Sequence, residues 1–116
     1  MASTKEYLDF VLEQLAGLDA VTFRPMMGEY ILYCSGKVVG GIYDDRLLLK
    51  PTPTALRLIR EAGLDTPMEL PYAGAKEMLL ADVDRRELLC RTVQAIADDL
   101  PALKKKGRTA PEQSVL

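Results

Sequence analysis

The sequence predicts a single α+β domain in two layers, with an antiparallel sheet packed against flanking helices. The chain has 116 residues, of which 48% are hydrophobic, enough for one core but not for two domains. Apolar residues recur at helical spacing near both ends, and short segments rich in β-branched and aromatic residues fill the middle. The connections between these segments are so short that neighbouring strands must run antiparallel. The predicted order is one helix, four strands, a helix, one or two strands, and a helix.

The first predicted helix runs from Thr4 to Leu18. The run Ser3-Thr4-Lys5-Glu6 has the spacing of a capping box, in which side chains satisfy the free amides at a helix start. Apolar residues then recur on one side, and acidic residues occupy the other, so the helix is expected to pack on one side only. The apolar positions are Tyr7, Leu8, Val11, Leu12, Leu15 and Leu18.

Four strands are predicted next, as a meander whose connections are tight turns rich in glycine and aspartate. The predicted strands are Val21–Pro25, Glu29–Cys34, Lys37–Tyr43 and Leu47–Lys50, and the turns are Met26–Gly28, Ser35-Gly36 and Asp44–Arg46.

The remaining elements follow Pro51. Thr52 and Pro53 have the residue types of a helix cap and first helical position, and Gly63 marks the end of this second helix. Extended segments are predicted at Met68–Tyr72 and Lys76–Ala81. A last helix is predicted with Asp82 or Asp84 as its cap and with the apolar stripe Leu89, Val93, Ile96 and Leu100. The domain is expected to span residues 1–103, followed by a flexible basic tail at 104–116.

The central strands are apolar on both faces, whereas a sheet with one wet face should alternate apolar and polar residues. In the second strand Tyr30, Leu32 and Cys34 point to one side and Ile31 and Tyr33 to the other, and in the third strand Val38 and Ile42 are predicted opposite Val39 and Tyr43. Three helices cover one face, and soluble monomers rarely expose an apolar patch on the second. A second copy of the chain, a crossing helix, or a ligand or other protein could cover it. Twofold self-association, the commonest oligomeric state, favours a homodimer.

Composition excludes several chemistries. The chain has no histidine, so Ser-His-Asp and Cys-His catalysis are absent, and Cys34 and Cys90 are too far apart in sequence for a zinc finger. No catalytic, cofactor-binding or metal-binding residue is predicted. The net charge of −2 divides into +3 on residues 104–116 and −5 on residues 1–103, which disfavours nucleic-acid binding by the domain. No signal peptide or membrane segment is recognised, and a cytoplasmic protein with free thiols is expected.

Two cationic features have alternative interpretations. Arg24 and Lys50 lie at predicted strand ends and could form a small anion-binding patch beside Glu29, or Arg24 could form an ion pair with Glu29 or Asp44. Lys104–Arg108 could supply weak, salt-sensitive attraction to nucleic acid, although a solvated tail explains it better.

The segment RPMMGEYILYCSGKVVGGIYDDRLLLKP, Arg24–Pro51, resembles the core of the TfoX N-terminal domain family of competence regulators. The pattern of that family has an arginine, a methionine-glycine turn, a tyrosine-bearing strand, a glycine turn, an acidic turn and a strand ending in Leu-Lys. The resemblance implies a two-layer α+β fold akin to secretion-chaperone-like folds, which often dimerise, and it carries no catalytic residues.

The sequence therefore predicts a non-enzymatic protein-interaction or regulatory module that forms a homodimer and also binds an unknown protein partner. The alternatives are a protein that binds small anionic ligands through Arg24 and Lys50, and a DNA-associated accessory of transcriptional regulation. The residues predicted to form contacts are Arg24, Met27, Gly28, Tyr30, Tyr33, Tyr43, Lys50 and Lys76.

Overall fold

A computed structural model describes residues 3–101, and the predicted tail at 104–116 lies outside the described residues. Three helices accompany one six-stranded sheet with strand order β1-β2-β3-β4-β6-β5, in which every neighbouring pair is antiparallel. The predicted α+β class is confirmed. The elements are α1 (Lys5–Gln14), β1 (Val21–Met26), β2 (Glu29–Cys34), β3 (Lys37–Ile42), β4 (Leu47–Leu49), α2 (Pro53–Glu61), β5 (Met68–Glu69), β6 (Met78–Leu80) and α3 (Arg86–Asp99).

Three successive two-residue turns connect β1 to β4. Both central residues of each turn have positive φ: Met27 and Gly28 (52° and 86°), Ser35 and Gly36 (54° and 78°), and Asp44 and Asp45 (54° and 55°). Positive φ at both positions defines the type I′ turn, whose twist matches that of the flanking strands. The predicted meander is confirmed, with strand ends within one residue of those expected.

The helix starts of α1 and α2 are capped by threonine. Thr4 Oγ1 accepts from the backbone N of Tyr7 (3.1 Å), and Thr52 Oγ1 accepts from the backbone N of Ala55 (3.4 Å). The capping-box spacing from Ser3 to Glu6 designates Ser3 as the cap, but the cap is Thr4, one residue later, and Ser3 Oγ donates instead to Glu29 Oε1 (2.5 Å). Polar residues before an apolar periodic run were enough to predict where both helices begin.

The predicted end of the first helix and the predicted cap at the start of the last helix differ from the structure. The first helix ends at Gln14 rather than Leu18, because Leu18 N donates to the Leu15 carbonyl three residues back, a tighter turn than an α-helix makes. Neither Asp82 nor Asp84 caps α3. Asp82 Oδ1 accepts from the backbone N of Asp84 (3.1 Å), which closes a turn before the helix begins, and Arg85 occupies the cap position without a side-chain bond.

All three helices pack on one face of the sheet and form a single core with it. The predicted stripe on α3 is confirmed, with Leu89, Val93 and Ile96 buried. Cys34 belongs to this core, and burial raises the pKa of its thiol, which stays protonated at neutral pH. The core also contains Leu8, Val11, Leu15, Leu32, Val39, Ile42, Leu47, Leu49, Ala55, Ile59, Leu79 and Ala97.

A β-bulge in β3 changes the predicted assignment of residues to faces. Leu32 pairs with Gly40 and Tyr33 pairs with Val38, so Val39 is an extra residue without a partner on β2. Because one inserted residue reverses the alternation, Val39 turns into the core and Val38 shares the opposite face with Tyr33. The prediction that Val38 and Ile42 lie on the same face is therefore wrong.

Asp99, at the end of α3, forms hydrogen bonds with the start of α2. These bonds predict that the stability of the domain depends on pH. Its carboxylate accepts from the Thr54 hydroxyl (2.9 Å) and backbone N (3.2 Å). Hydrogen bonds from the Thr52 and Thr54 side chains lower the pKa of Asp99 below its usual 3.8. A carboxyl group whose pKa is lower in the folded state than in the unfolded state stabilises the fold at pH values above its unfolded-state pKa. This stabilisation is lost as the pH falls through the folded-state pKa.

Asp99→Asn should therefore flatten the decline in the unfolding midpoint between pH 5 and pH 2, measured by urea titration. Asp98→Asn removes the neighbouring carboxylate while leaving the bonds to Thr54 in place, and it should keep the wild-type profile. Equal profiles for wild type and Asp99→Asn would contradict this assignment.

Candidate interaction surface

The face of the sheet turned away from the helices, here called the outer face, is apolar across its centre. Strand pairing aligns Arg24, Ile31, Gly41 and Leu48 in one row across it. A second row aligns Thr22, Tyr33 and Val38. Together with Met26, these residues define the outer face. The prediction of a sheet that is apolar on both sides is confirmed, since Ile31, Tyr33, Val38 and Leu48 lie opposite the helical layer.

The β4 side of the outer face is covered by aromatic residues of the same chain. A β-carbon at Gly41 would come within 2.7 Å of Tyr43 Cε2, so the Tyr43 ring lies directly against the glycine. Tyr72, from the loop between β5 and β6, packs beside it with ring centroids 6.3 Å apart. Burial raises the pKa of the Tyr43 hydroxyl. Leu48, the neighbour of Gly41 on β4, is fully buried although it lies outside the main core.

Arg46 holds the start of the β5–β6 loop. Its Nη1 donates to Glu69 Oε1 (2.5 Å), and its Nη2 donates to the Leu70 carbonyl (3.3 Å). Both side chains of the ion pair are partly buried, which makes the pair stronger than a fully solvated one. Arg46 therefore ties the loop that carries Tyr72 to the turn after Tyr43.

The β1–β3 side of the outer face keeps its apolar side chains partly in water. Ile31 and Tyr33 are half-buried, and Val38 and Met26 are exposed, at 36% and 38% of their full surface. Next to Met26, the turn residue Met27 is 98% exposed. We call Met26, Met27, Ile31, Tyr33 and Val38 the open patch. Within residues 3–101, no helix lies over it, because all three helices pack on the other face.

Met27 combines exposure with an unfavourable backbone conformation. Its φ of 52° is left-handed, a region in which asparagine and glycine are at ease and methionine is strained. An exposed apolar side chain adds nothing to the core, so neither packing nor turn geometry explains a methionine here. Strain at an exposed residue of this kind is typical of a binding position.

The structure separates Arg24 from Lys50. Arg24 lies on the edge strand β1, Lys50 follows β4, and β2 and β3 lie between them, so the predicted cationic patch beside Glu29 is wrong. The alternative ion pair of Arg24 is also absent among residues 3–101. The Glu29 carboxylate instead accepts from Ser3 and from the backbone N of Asp44 (3.2 Å).

Lys50 is brought together with two other candidates. With Tyr43 and Lys76 it lines a cavity of about 410 Å³ beside the covered half of the outer face. Tyr30 lies on the helical side instead, half-buried edge-to-face against Phe23 with ring centroids 5.9 Å apart. Gly28 is the second turn residue, and its carbonyl accepts from Ser3 N (3.0 Å).

The sequence reasoning missed the contribution of Met26 and Val38 to the open patch. Val38 faces outward only because of the bulge, and the adjacent Gly40-Gly41 pair was the available signal, because glycine within a strand often marks a bulge. Met26 was expected to belong to the turn rather than to the strand.

Residues 3–101 lack two further features. No cluster of three or more Cys, Asp or Glu side chains is placed to hold a metal ion. Among the described helices, none combines the length and apolar character that crossing a bilayer requires.

Comparison with known proteins identifies the family. The model of the TfoX N-terminal domain matches residues 13–86, which contain all six strands, the three type I′ turns and the open patch. The chain belongs to the TfoX N-terminal domain family. A relative from Spirochaeta aurantia, described as an uncharacterized 12.7 kDa protein in the trpE 5′ region, is 37% identical over 112 residues. The alignment covers 94% of each chain, so the similarity between this TfoX N-terminal-type protein and its relative extends over nearly the whole of both.

Proposed function

We propose that this TfoX N-terminal-type protein is a non-enzymatic regulatory module of the cytoplasm that acts by binding protein through the open patch. Its first partner is a second copy of the chain, which covers the open patch, and the dimer formed in this way then binds a further protein. The observation that carries the proposal is the partly exposed apolar half of the sheet beside the strained, exposed Met27.

Exposing apolar surface to water costs free energy. Burying apolar area contributes about 25 cal/mol per Å², and a patch of several side chains on a flat sheet supplies the contiguous area on which interfaces are built. Aromatic and methionine side chains are enriched in such interfaces, and the patch contains Tyr33, Met26 and Met27. On β1 and β2 the charged side chains of this side are Arg24 and Glu29, and Glu29, which pairs with Met26, already accepts hydrogen bonds from Ser3 and from the backbone N of Asp44. The rest of the two outer-face rows can be desolvated without burying charge.

Face-to-face association is favoured over pairing of sheet edges. In a two-residue hairpin the residues that flank the turn exchange both backbone hydrogen bonds, so the next residue, Pro25, directs its nitrogen toward the free edge of β1. Proline has no N–H to donate, and proline on an edge strand is a common device against edge pairing. A partner is therefore expected on the face of β1–β3 rather than alongside β1.

The oligomeric state tests the proposal. Light scattering coupled to size-exclusion chromatography at several hundred micromolar should give twice the 12.8 kDa chain mass. Val38→Glu places a charge within the patch, opposite Tyr33, and should leave only monomer. Ala16→Glu adds the same charge at an exposed position beyond α1 and should remain dimeric. A wild-type monomer at this concentration, or a dimeric Val38→Glu variant, would refute the homodimer.

Met27→Asn separates binding from stability. Asparagine is suited to the left-handed backbone of this turn, so the free energy of unfolding of the variant should be higher by about 0.5–1 kcal/mol. The measurement is urea unfolding at a protein concentration low enough to keep the chain monomeric. The same variant should dimerise more weakly, because it loses an exposed apolar contact. A variant that is less stable, or one that dimerises as tightly as wild type, would contradict the role given to Met27.

A second candidate function is the binding of a small anion in the cavity lined by Tyr43, Lys50 and Lys76, where two lysines outweigh the one carboxylate of the lining, Glu77. It replaces the Arg24–Lys50 patch, which the sheet order excludes. Citrate at millimolar concentration should then raise the melting temperature of wild type but not of the double variant Lys50→Met, Lys76→Met. No shift with citrate or pyrophosphate would remove this candidate.

A further inference from the structure

The two sides of the outer face differ in what lies over them. On the β4 side, the Tyr43 ring occupies the space that a side chain at Gly41 would fill, and the Tyr72 ring packs beside it with 61% of that residue exposed. We call Tyr43 and Tyr72 the aromatic ridge. On the other side, the residues that β1 contributes to this face are all exposed. The outer face is therefore built up on one side of the open patch and bare on the other.

Arg24 is an unpaired charge on the bare side. It is exposed on the edge strand β1, and it forms no ion pair within residues 3–101. Glu29 is not available to it, because that carboxylate accepts from Ser3 and from the backbone N of Asp44. A guanidinium that becomes covered by another protein needs compensation, and the face of a tyrosine ring supplies it through a cation–π contact. Arg24 and the aromatic ridge are therefore chemically complementary.

Two twofold arrangements lay one open patch on another, and they differ in what faces Arg24. An axis across the strands places β1 against β1, so each Arg24 faces the strand that carries the other, and the two aromatic ridges meet. An axis along β2 places β1 of each copy against β3 of the other. Because Arg24 and Gly41 share a row of the outer face, this axis brings Arg24 to the ridge of the partner subunit. The first arrangement opposes like charges, whereas the second pairs a cation with aromatic rings.

We propose that the homodimer has its twofold axis along β2, with Arg24 of each copy lying on the partner's Tyr43 and the partner's Tyr72. The inference rests on the homodimer proposed above and adds what the second copy contributes to it. Each contact site takes its cation from one chain and its rings from the other, and twofold symmetry forms it twice. The bare side of each copy is thereby covered by the built-up side of the other.

Arg24→Met is the first test, and the sign of its effect distinguishes the two axes. The dissociation constant of the dimer, measured by sedimentation equilibrium, should rise about fivefold to thirtyfold, the value of two exposed cation–π contacts. Lys5→Met removes the same charge from an exposed position on α1 and should change the constant by less than about twofold. A constant that is unchanged, or that falls because two like charges no longer face each other, would overturn the proposal.

A double-mutant cycle with Tyr72→Leu tests whether the contact joins two copies. In the Tyr72→Leu background, Arg24→Met should raise the dissociation constant by a factor at least about threefold smaller than in wild type, because part of its contact is already gone. In the monomer, unfolded in urea at low concentration, the effects of the two substitutions on stability should be additive, since β2 separates Arg24 from the ridge of its own chain. Coupling in the monomer, or none in the dimer, would contradict the assignment.

A measurement on the wild-type chain covers the case in which a variant does not fold. Isotope-filtered nuclear Overhauser spectra of a dimer mixed from labelled and unlabelled chains should show contacts between the Arg24 side chain and ring protons of the partner's Tyr43 or the partner's Tyr72. A dimer without these contacts, or with contacts between the two β1 strands, would overturn the inference while leaving the homodimer in place. A wild-type chain that stays monomeric would remove both.

Discussion

Replacing Gly40 with alanine is expected to destabilise the domain by about 3 kcal/mol or more, the upper end of the cost of overpacking a core. A β-carbon at Gly40 would lie 2.2 Å from the Leu48 carbonyl oxygen and 2.9 Å from Leu49 Cα. Both are backbone atoms of the neighbouring strand β4, so no side-chain rotation relieves the clash, and β3 and β4 must separate. Urea unfolding followed by circular dichroism measures the loss.

Gly17→Ala is the matched control for this substitution. The nearest atom to a β-carbon at Gly17 is Cys90 Sγ at 3.8 Å, an ordinary van der Waals contact, so its stability should lie within about 0.5 kcal/mol of wild type. A Gly40→Ala variant as stable as Gly17→Ala would mean that the backbone of β4 does not approach Gly40 closely enough to exclude a β-carbon.

Lys37→Met is expected to lower the free energy of unfolding by about 2 kcal/mol. Lys37 Nζ, reaching from β3, donates to the carbonyls of Ala97 (2.8 Å) and Leu100 (3.2 Å) at the end of α3. A bond to a charged donor contributes about 1.5–3 kcal/mol, and a cation at a helix C-terminus adds about 0.3–1 kcal/mol. Methionine keeps the apolar stem and removes only the ammonium group, so the change isolates this cap.

Lys5→Met provides the comparison. Lys5 forms an exposed ion pair with Asp9 on α1 at 3.3 Å, and such pairs contribute only about 0.3–0.5 kcal/mol. Chemical denaturation of both variants under the same conditions separates a tertiary helix cap from a surface charge. Equal losses for the two lysines would show that Lys37 does not cap α3.

Much of the fold could be predicted because its determinants are local. The three tight turns, the caps of α1 and α2, and the apolar stripe on α3 depend on residues within a few positions of one another. The failures have both non-local and local causes. The end of α3 is satisfied by Lys37 from a distant strand, a partner that a pattern read along the chain does not contain. Asp82 fails as a cap for a local reason, because its carboxylate accepts from the backbone N of Asp84 and closes a turn before the helix begins.

The candidate site divides in the same way. Tyr33 could be assigned to the outer face from the alternation of β2 alone, and Met27 was recognised as a candidate within its turn motif. The supposed patch of Arg24 and Lys50 failed because it assumed that two strand ends meet, and the sheet order decides that.

By itself, the sequence determined the α+β class, the meander with its turns, and the fact that the sheet is apolar on both faces, because local backbone preference and side-chain periodicity specify these features. The family was indicated separately, by the resemblance of the segment Arg24–Pro51 to the TfoX N-terminal domain. Only the tertiary structure decided how the second face is shared between Tyr43, Tyr72 and open surface. One bulged residue at Val39 reversed the orientation of Val38, and the long β5–β6 loop returned to place Tyr72 beside Tyr43. Both depend on contacts between distant residues, whose geometry is set when the strands assemble.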